Sequence, residues 1–365
     1  MKPLLLCLCL LGPLLSRSED VISSFIAEAS AEHPRNSEGD VLVLKDGTLF
    51  AAWSQFYGGA EDHAAARIVA VKSMDGGRTW SAPTTLQENQ GKANVMSVSL
   101  IRSISGDVLF FYLLKNSLSD LKAYVRRSTD DTRTWGEPVL ITPEPGYHVM
   151  NNARIIQLRS GRLLAPVATC GTVHSKNDAF RTVVYHSDDD GRTWQRGSAF
   201  LTAPKRGAME PGLIECRDGR VMQIIRTQTG YIWRSYSTDQ GNTWSDAQPW
   251  NIEAPEAPTS IARIPENGDW LMVLNPVVEW KNPEKTVLGT NHGGARTPLA
   301  AMISHDEGKT WSKPLNIESD PTLTYAYTSI TPHQDRVLLS YYVFPLKGRQ
   351  LSLKFKSLPL SWFQE

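Results

Sequence analysis

Cysteine is scarce in this chain, with four in 365 residues, and that excludes a disulfide-stapled small scaffold. Two of the four, Cys7 and Cys9, sit in the first apolar segment, which leaves Cys170 and Cys216 either to pair or to stay as buried thiols. A surplus of charge is also missing, because Lys+Arg and Asp+Glu are 38 each. Phosphate backbones and anionic membranes are gripped by excess Lys and Arg, so a dedicated nucleic-acid binder is excluded and only a local basic pocket stays open. No apolar run reaches the roughly 20 residues that a membrane-spanning helix needs. The run Pro3 to Leu15, preceded by Lys2 and followed by the small residues Ser16 and Ser18, reads instead as a secretory signal peptide over residues 1–18. The expected mature chain, 19–365, is then secreted or periplasmic and has no membrane span. Histidines number eight and are scattered, without the clustered Cys and His that zinc requires. Neither a metal nor a cofactor is implied, and there is no Asn-x-Ser/Thr sequon.

What is present is turn chemistry. The 26 Gly, 22 Pro and 11 Trp, with few long Ala/Leu/Glu/Lys stretches, point to many short strands joined by turns and away from a helical bundle. One eight-residue pattern, Ser-x-Asp-x-Gly-x-Thr-Trp, occurs five times, at Ser73–Trp80, Ser128–Trp135, Ser187–Trp194, Ser237–Trp244 and Ser304–Trp311, with Thr132 replacing Gly in the second copy. Asp and Gly build the turn, hydroxyls and carboxylate satisfy backbone N–H groups, and Trp packs beneath. These Asp residues are therefore structural. A second series, a polar turn followed by an alternating apolar strand, appears six times. Its strands begin near Leu49, Val108, Arg162, Val221, Trp270 and Val337. A repeat of this length with about four strands per unit predicts an all-β, six-bladed β-propeller carrying five of these hairpins. The last unit lacks the eight-residue pattern and ends in Leu351 to Lys356. That strand is expected to pair with the N-terminal strand and close the ring.

The five boxes on a six-unit chain resemble the Asp-box propellers of the sialidase (neuraminidase) superfamily over nearly all of residues 25 to 360. The box speaks for the fold and not for activity, since function resides in the loops at the other end of the blades. The resemblance implies hydrolysis of terminal sialic acid from glycans. Three Arg from different blades hold the sugar carboxylate, an Asp is the general acid/base, and a Tyr nucleophile is activated by a Glu. Arg suits the clamp because its planar fork donates two parallel hydrogen bonds to a carboxylate.

Carried over one residue at a time, the resemblance puts the clamp on Arg35, Arg226 and Arg296, with Arg154 able to replace Arg35. Asp62 follows the first apolar strand as the acid/base, with Glu61 as its immediate competitor. Glu210, a lone carboxylate just ahead of an apolar strand, is the base candidate. Arg226 ends that unit's next strand, and Arg296 is expected to begin another inner strand behind Gly293 and Gly294. Tyr327 is the nucleophile candidate, and Tyr325 is the alternative because both point the same way on a regular strand. The carboxylate that the family supplies late in the chain to hold the first Arg is missing, since after Asp335 only Glu365 remains. Asn94, Met96, Lys115, His148, Asn151 and Asn152 are candidates for reading the glycerol tail and N-acetyl group, or for plain packing. If Tyr327 were too far from the anomeric carbon, the same carboxylates would direct water and give inversion. Two other functions fit the same residues: a glycosidase for another acidic sugar, and a carbohydrate-binding propeller without catalysis.

Overall fold

The computed structural model describes residues 20–176, 178–276, 296–348 and 350–364. Residues 1–18, Gly293, Gly294 and Glu365 lie outside the described residues. The described chain is all-β, with one short 3-10 segment at Leu360–Gln364.

Strand β1 (Ile22–Ala27) precedes six strand groups that follow one another along the chain. The first comprises β2 (Arg35–Val43), β3 (Leu49–Phe56), β4 (Ala66–Ser73) and β5 (Thr84–Gln87); the second, β6 (Asn94–Arg102), β7 (Val108–Ser117), β8 (Asp120–Ser128) and β9 (Val139–Leu140). The third comprises β10 (Gly146–Val149), β11 (Ile156–Gln157), β12 (Leu163–Cys170), β13 (Arg181–Ser187) and β14 (Gln195–Arg196). The fourth holds β15 (Met209–Glu215), β16 (Val221–Arg226), β17 (Tyr231–Ser237) and β18 (Gln248–Glu253). The fifth holds β19 (Ser260–Arg263), β20 (Trp270–Leu274), β21 (Leu299–Ser304) and β22 (Leu315–Glu318), and the sixth β23 (Leu323–His333), β24 (Arg336–Pro345) and β25 (Ser352–Pro359).

Four groups are separate four-stranded sheets, and the second and third share one nine-stranded sheet through a parallel pairing of β8 with β10. The second strand of five groups, and β12 in the third, coincides with one of the six turn-plus-apolar-strand repeats. Each of these strands is buried on both faces, which is why it reads as a dense run of Val, Ile, Leu and aromatics. As the last unit suggested, β25 pairs antiparallel with β1, so the sixth sheet is completed by the N-terminal strand.

Apolar side chains fill the spaces between consecutive sheets. Phe50 and Ile68 pack with Val98 and Phe110, Leu271 and Ile303 with Tyr325 and Leu339, and Leu338 and Phe355 of the sixth sheet with Val41, Trp53 and Val69 of the first. The first strand of the first group, β2, packs against both β6 and β23.

Each eight-residue repeat forms the same turn between the last two strands of its group. In the first copy, Gly77 N donates to Ser73 Oγ (2.8 Å), while Ser73 Oγ donates to Asp75 Oδ1 (2.8 Å) and Thr79 N donates to that same oxygen (2.9 Å). Thr79 Oγ1 donates to Asp75 Oδ2 at 2.7 Å. Asp130, Asp189, Asp239 and Asp306 are used in the same way. Glycine fills the fifth position in four copies because φ is near +90° there, and Thr132 takes φ 76° in the other. A Cβ on Gly77 would also lie 2.1 Å from the Phe355 ring, across the contact between the first and sixth sheets.

Candidate functional site

The site is built on irregularities in first strands. In β2, β6, β15 and β23 one extra residue is inserted against the partner strand, between Ser37 and Asp40, Met96 and Ser99, Met209 and Gly212, and Ala326 and Ser329. Within these bulges Glu38, Ser97, Glu210 and Tyr327 take positive φ angles of 52°, 58°, 38° and 59°. A bulge re-aims the side chain it carries, and left-handed backbone at a non-glycine residue costs on the order of 1–3 kcal/mol. Three of the four residues so strained, Glu38, Glu210 and Tyr327, meet arginines or each other.

Tyr327 donates its phenolic hydrogen to Glu210 Oε1 at 3.0 Å. The other Glu210 oxygen, Oε2, accepts a hydrogen bond from Arg226 Nη1. Arg226 also faces Glu256, whose Oε1 lies 3.5 Å from Nη2. Glu256, 1% exposed, takes further hydrogen bonds from Arg206 Nη1 (2.8 Å) and Gln228 Nε2 (2.9 Å). Its backbone carbonyl accepts from Arg296 Nη2 at 3.0 Å. Arg296 Nη1 donates to Tyr342 Oη at 2.6 Å, and the Tyr342 ring lies 5.3 Å from that of Tyr327. Burial, reinforced by the Glu210 carboxylate, pushes the Tyr327 phenol far above its ordinary value, against the pull of Arg226 and Arg296. The phenol is neutral at rest.

Arg35 has its own set of ion pairs. Its Nη2 pairs with Glu38 Oε1 at 2.7 Å, its Nη1 with Asp62 Oδ1 at 2.6 Å, and its Nε donates to Ser37 Oγ at 2.8 Å. Arg296 Cζ lies 5.8 Å from the Tyr327 ring and Arg226 reaches the same tyrosine through Glu210, while Arg35 acts electrostatically on both Tyr327 and Tyr342. The Asp62 side chain is 60% exposed. Burial of part of its surroundings opposes ionisation, but Arg35 and Lys115 outweigh it and hold the carboxyl well below the usual carboxylate range. The loop carrying Asp62 is pinned from below, where Lys115 Nζ donates to Asp62 O (2.6 Å) and Asn94 Nδ2 to Asp62 O (3.0 Å) and Ala64 O (2.9 Å).

Asp62, Glu210, Tyr327, Arg35, Arg226 and Arg296 thus converge, and several expectations are corrected. The carboxylate holding Arg35 is Glu38, three residues away on the same strand. In a regular strand, positions three apart face opposite sides, and the bulge brings Glu38 round to Arg35. Arg296 does not begin an inner strand: it precedes β21, which pairs on both sides, with β20 and β22, and is third in its sheet. The first strand there, β19, is short and half polar and gives little sequence signal. Tyr325 does not point with Tyr327, because the bulge breaks the alternation. It is 1% exposed and packs in the core, 6.3 Å from the Tyr341 ring.

Arg35 Nη1 donates to the Asp62 side chain in that loop. Met96 belongs to the core with Phe56, Leu113 and Tyr147. His148 is buried with Nε2 2.9 Å from Glu144 O. The Asn151 carbonyl lies 3.4 Å from Ser99 Oγ, which donates to it. Asn152 Nδ2 donates to Tyr327 O at 2.9 Å and so fixes the nucleophile candidate's backbone. Arg154 is buried beneath the cluster and bonds Ser260, outside the clamp. Cys170 and Cys216 are free and buried. Glu256 and Tyr342, like Glu38, escaped the sequence reading.

The model of a BNR repeat-like domain matches residues 45–339. A sialidase from Micromonospora viridifaciens is 27% identical over 308 residues, which are 74% of this chain and 44% of that protein. The chain therefore spans less than half the length of that curated relative. Among solved structures, a Dyadobacter fermentans protein of unknown function superimposes with a TM-score of 0.71 at 19% identity, covering 92% of this chain and 99% of its own. The NanB sialidase of Streptococcus pneumoniae superimposes with a TM-score of 0.70 at 16% identity, covering 92% of this chain and 70% of its own. With the family match extending over most of its length, the chain belongs to the BNR repeat-like domain family of the sialidase superfamily.

Proposed function

We propose that the six strand groups are the blades of a closed propeller, and that the protein is an exo-glycosidase releasing terminal sialic acid from glycans with retention of configuration. The supports for closure are the pairing of β25 with β1 and the packing of the first sheet on the sixth. The observation that carries the activity is the chain Tyr327–Glu210–Arg226, a phenol on a carboxylate that is itself fixed by a guanidinium.

In this mechanism the substrate carboxylate is held by Arg35, Arg226 and Arg296. Asp62 donates a proton to the leaving glycosidic oxygen, while Tyr327 Oη attacks the anomeric carbon and passes its proton to Glu210. Asp62, now ionised, takes a proton from the water that attacks the tyrosyl-bound sugar, and Glu210 returns its proton to Tyr327. A neutral nucleophile avoids bringing a carboxylate up to the substrate's own negative charge, and Glu210 supplies the base that a weakly acidic phenol requires. Arg35 keeps Asp62 ionised at rest, and a substrate carboxylate competing for Arg35 relaxes that hold and lets Asp62 take up the proton it delivers. The leader at 1–18 fits an exported protein.

Proton NMR of residues 19–365 with sialyllactose tests the proposal. The α-anomer is expected first. First release of the β-anomer would overturn retention, and no release from any linkage would move the function to another acidic glycan or to binding alone.

A further inference from the structure

Arg154 is a buried cation whose guanidinium makes one hydrogen bond among the described residues. It lies between β10 and β11, is 3% exposed, and directs Nη1 to Ser260 Oγ at 3.2 Å. Among the described residues, Nε and Nη2 have no hydrogen-bond partner. A guanidinium left so in low dielectric is costly, and burial draws its pKa down to about 10 against the opposing pull of Glu210, Tyr327 and Asp40.

Its surroundings connect it to both halves of the reacting pair. Ser260 Oγ, which it contacts, donates to the carbonyl of Thr328 at 2.5 Å, the residue after Tyr327. On the other side, a Cβ on Gly212 would lie 3.4 Å from Arg154 Nη1. Gly212 closes the bulge that carries Glu210. The Arg154 backbone N–H donates to Ser99 Oγ at 3.1 Å, at the end of the β6 bulge. The guanidinium is therefore wedged under two bulged strands whose strained residues form the Tyr327–Glu210 hydrogen bond.

We propose that Arg154 is a positioning residue that holds the Glu210–Tyr327 pair from beneath, its positive charge stabilising the single negative charge that the pair shares as Tyr327 passes its proton. This rests on the roles given to Glu210 and Tyr327 above. The groups around the pair are Arg226 on Glu210, and Arg226, Arg296, Arg35 and Tyr342 around Tyr327. Asp40, the remaining charged neighbour of Arg154, is fixed by the N–H groups of Val41 and Leu100, both at 2.8 Å.

Two readouts test it. The first needs no turnover: a double-mutant cycle of unfolding equilibria at pH 7 with Arg154→Gln, Glu210→Gln and the double variant. A coupling of at least about tenfold in the unfolding constant is expected, falling towards none in the same cycle built on Arg154→Lys, which keeps the charge. Additive effects in the Arg154→Gln cycle would overturn the proposal. The second is the split between kcat and KM on a sialoside: Arg154→Gln is expected to lower kcat about tenfold with KM near wild type, and Arg154→Lys to restore most of it. A variant that is only destabilised would lose active protein without changing kcat per active site, and an unchanged kcat overturns the catalytic part. If wild type turns over no sialoside while the coupling is present, the substrate reading fails and Arg154's hold on the pair stands.

Discussion

Tyr327 and Glu210, 117 positions apart in the chain, share a hydrogen bond of 3.0 Å, and each sits at a positive-φ bulge on a different sheet. Two strained residues spent on one contact point to a unit whose members work together. Tyr327→Phe and Glu210→Gln are each expected to lower kcat by about 10²-fold or more, and the double variant to be little worse than either single one. Steady-state kinetics on a sialoside check this, and multiplicative losses would show independent roles.

Lys115 illustrates positioning without contact to the reacting atoms. It is 1% exposed, and burial lowers its pKa to about 8, although Asp62 and Glu38 act to raise it. Its ammonium hydrogen-bonds the backbone of Asp62. Lys115→Met keeps the volume and removes the donor, so the Asp62 loop should loosen. A fall of about tenfold in kcat/KM with an unchanged fold is expected, together with faster amide exchange over residues 60–64.

The fold's pH dependence has a definite sign at Asp40. Burial pushes this carboxyl from 3.8 up to about 7, even though the amides of Leu100 and Val41, the Ser329 hydroxyl and Arg154 oppose it. The folded state then binds a proton that the unfolded chain has released. Asp40's contribution to stability is therefore full below about pH 4, declines between about 4 and 7, and is lost above. Thermal unfolding at pH 5 and pH 8 should show a larger drop for wild type than for Asp40→Asn. Equal slopes would contradict the assignment.

Thr132 occupies the position that glycine holds in the other four repeats, with φ at 76° and its hydroxyl buried without a partner. A β-branched residue there is strained. Thr132→Gly should stabilise the protein by about 1 kcal/mol after allowing for glycine's extra freedom in the unfolded chain. A rise of about 1–2 °C in the melting temperature is the check.

The repeats made the architecture legible because their hydrogen bonds are local: Asp75 reaches Ser73, Arg78 and Thr79 within four positions, and that grammar is visible in five copies. The second strands were legible for a related reason, being buried on both faces. The arginines and Glu210 were found through resemblance and through the cost of leaving charge beside an apolar strand. Glu38 and the choice between Tyr325 and Tyr327 depended on one-residue bulges, which have no local signature and reverse every expectation based on alternation. Glu256, between Pro255 and Pro258 after β18, acquires its meaning from residues such as Arg206 and Arg226, brought in from elsewhere in the chain. Tyr342 lies on a regular, buried strand, and nothing local separates it from the core tyrosine beside it.

Incubation with a 2,3-difluorinated sialic acid, followed by peptide mass spectrometry, tests Tyr327 as the nucleophile most directly. Fluorine next to the anomeric centre slows hydrolysis of a glycosyl-enzyme more than its formation, so the intermediate accumulates. The expected result is a single sugar adduct on the peptide containing Tyr327, absent from Tyr327→Phe. An adduct on another residue, or sialoside turnover with no adduct at all, would contradict the account.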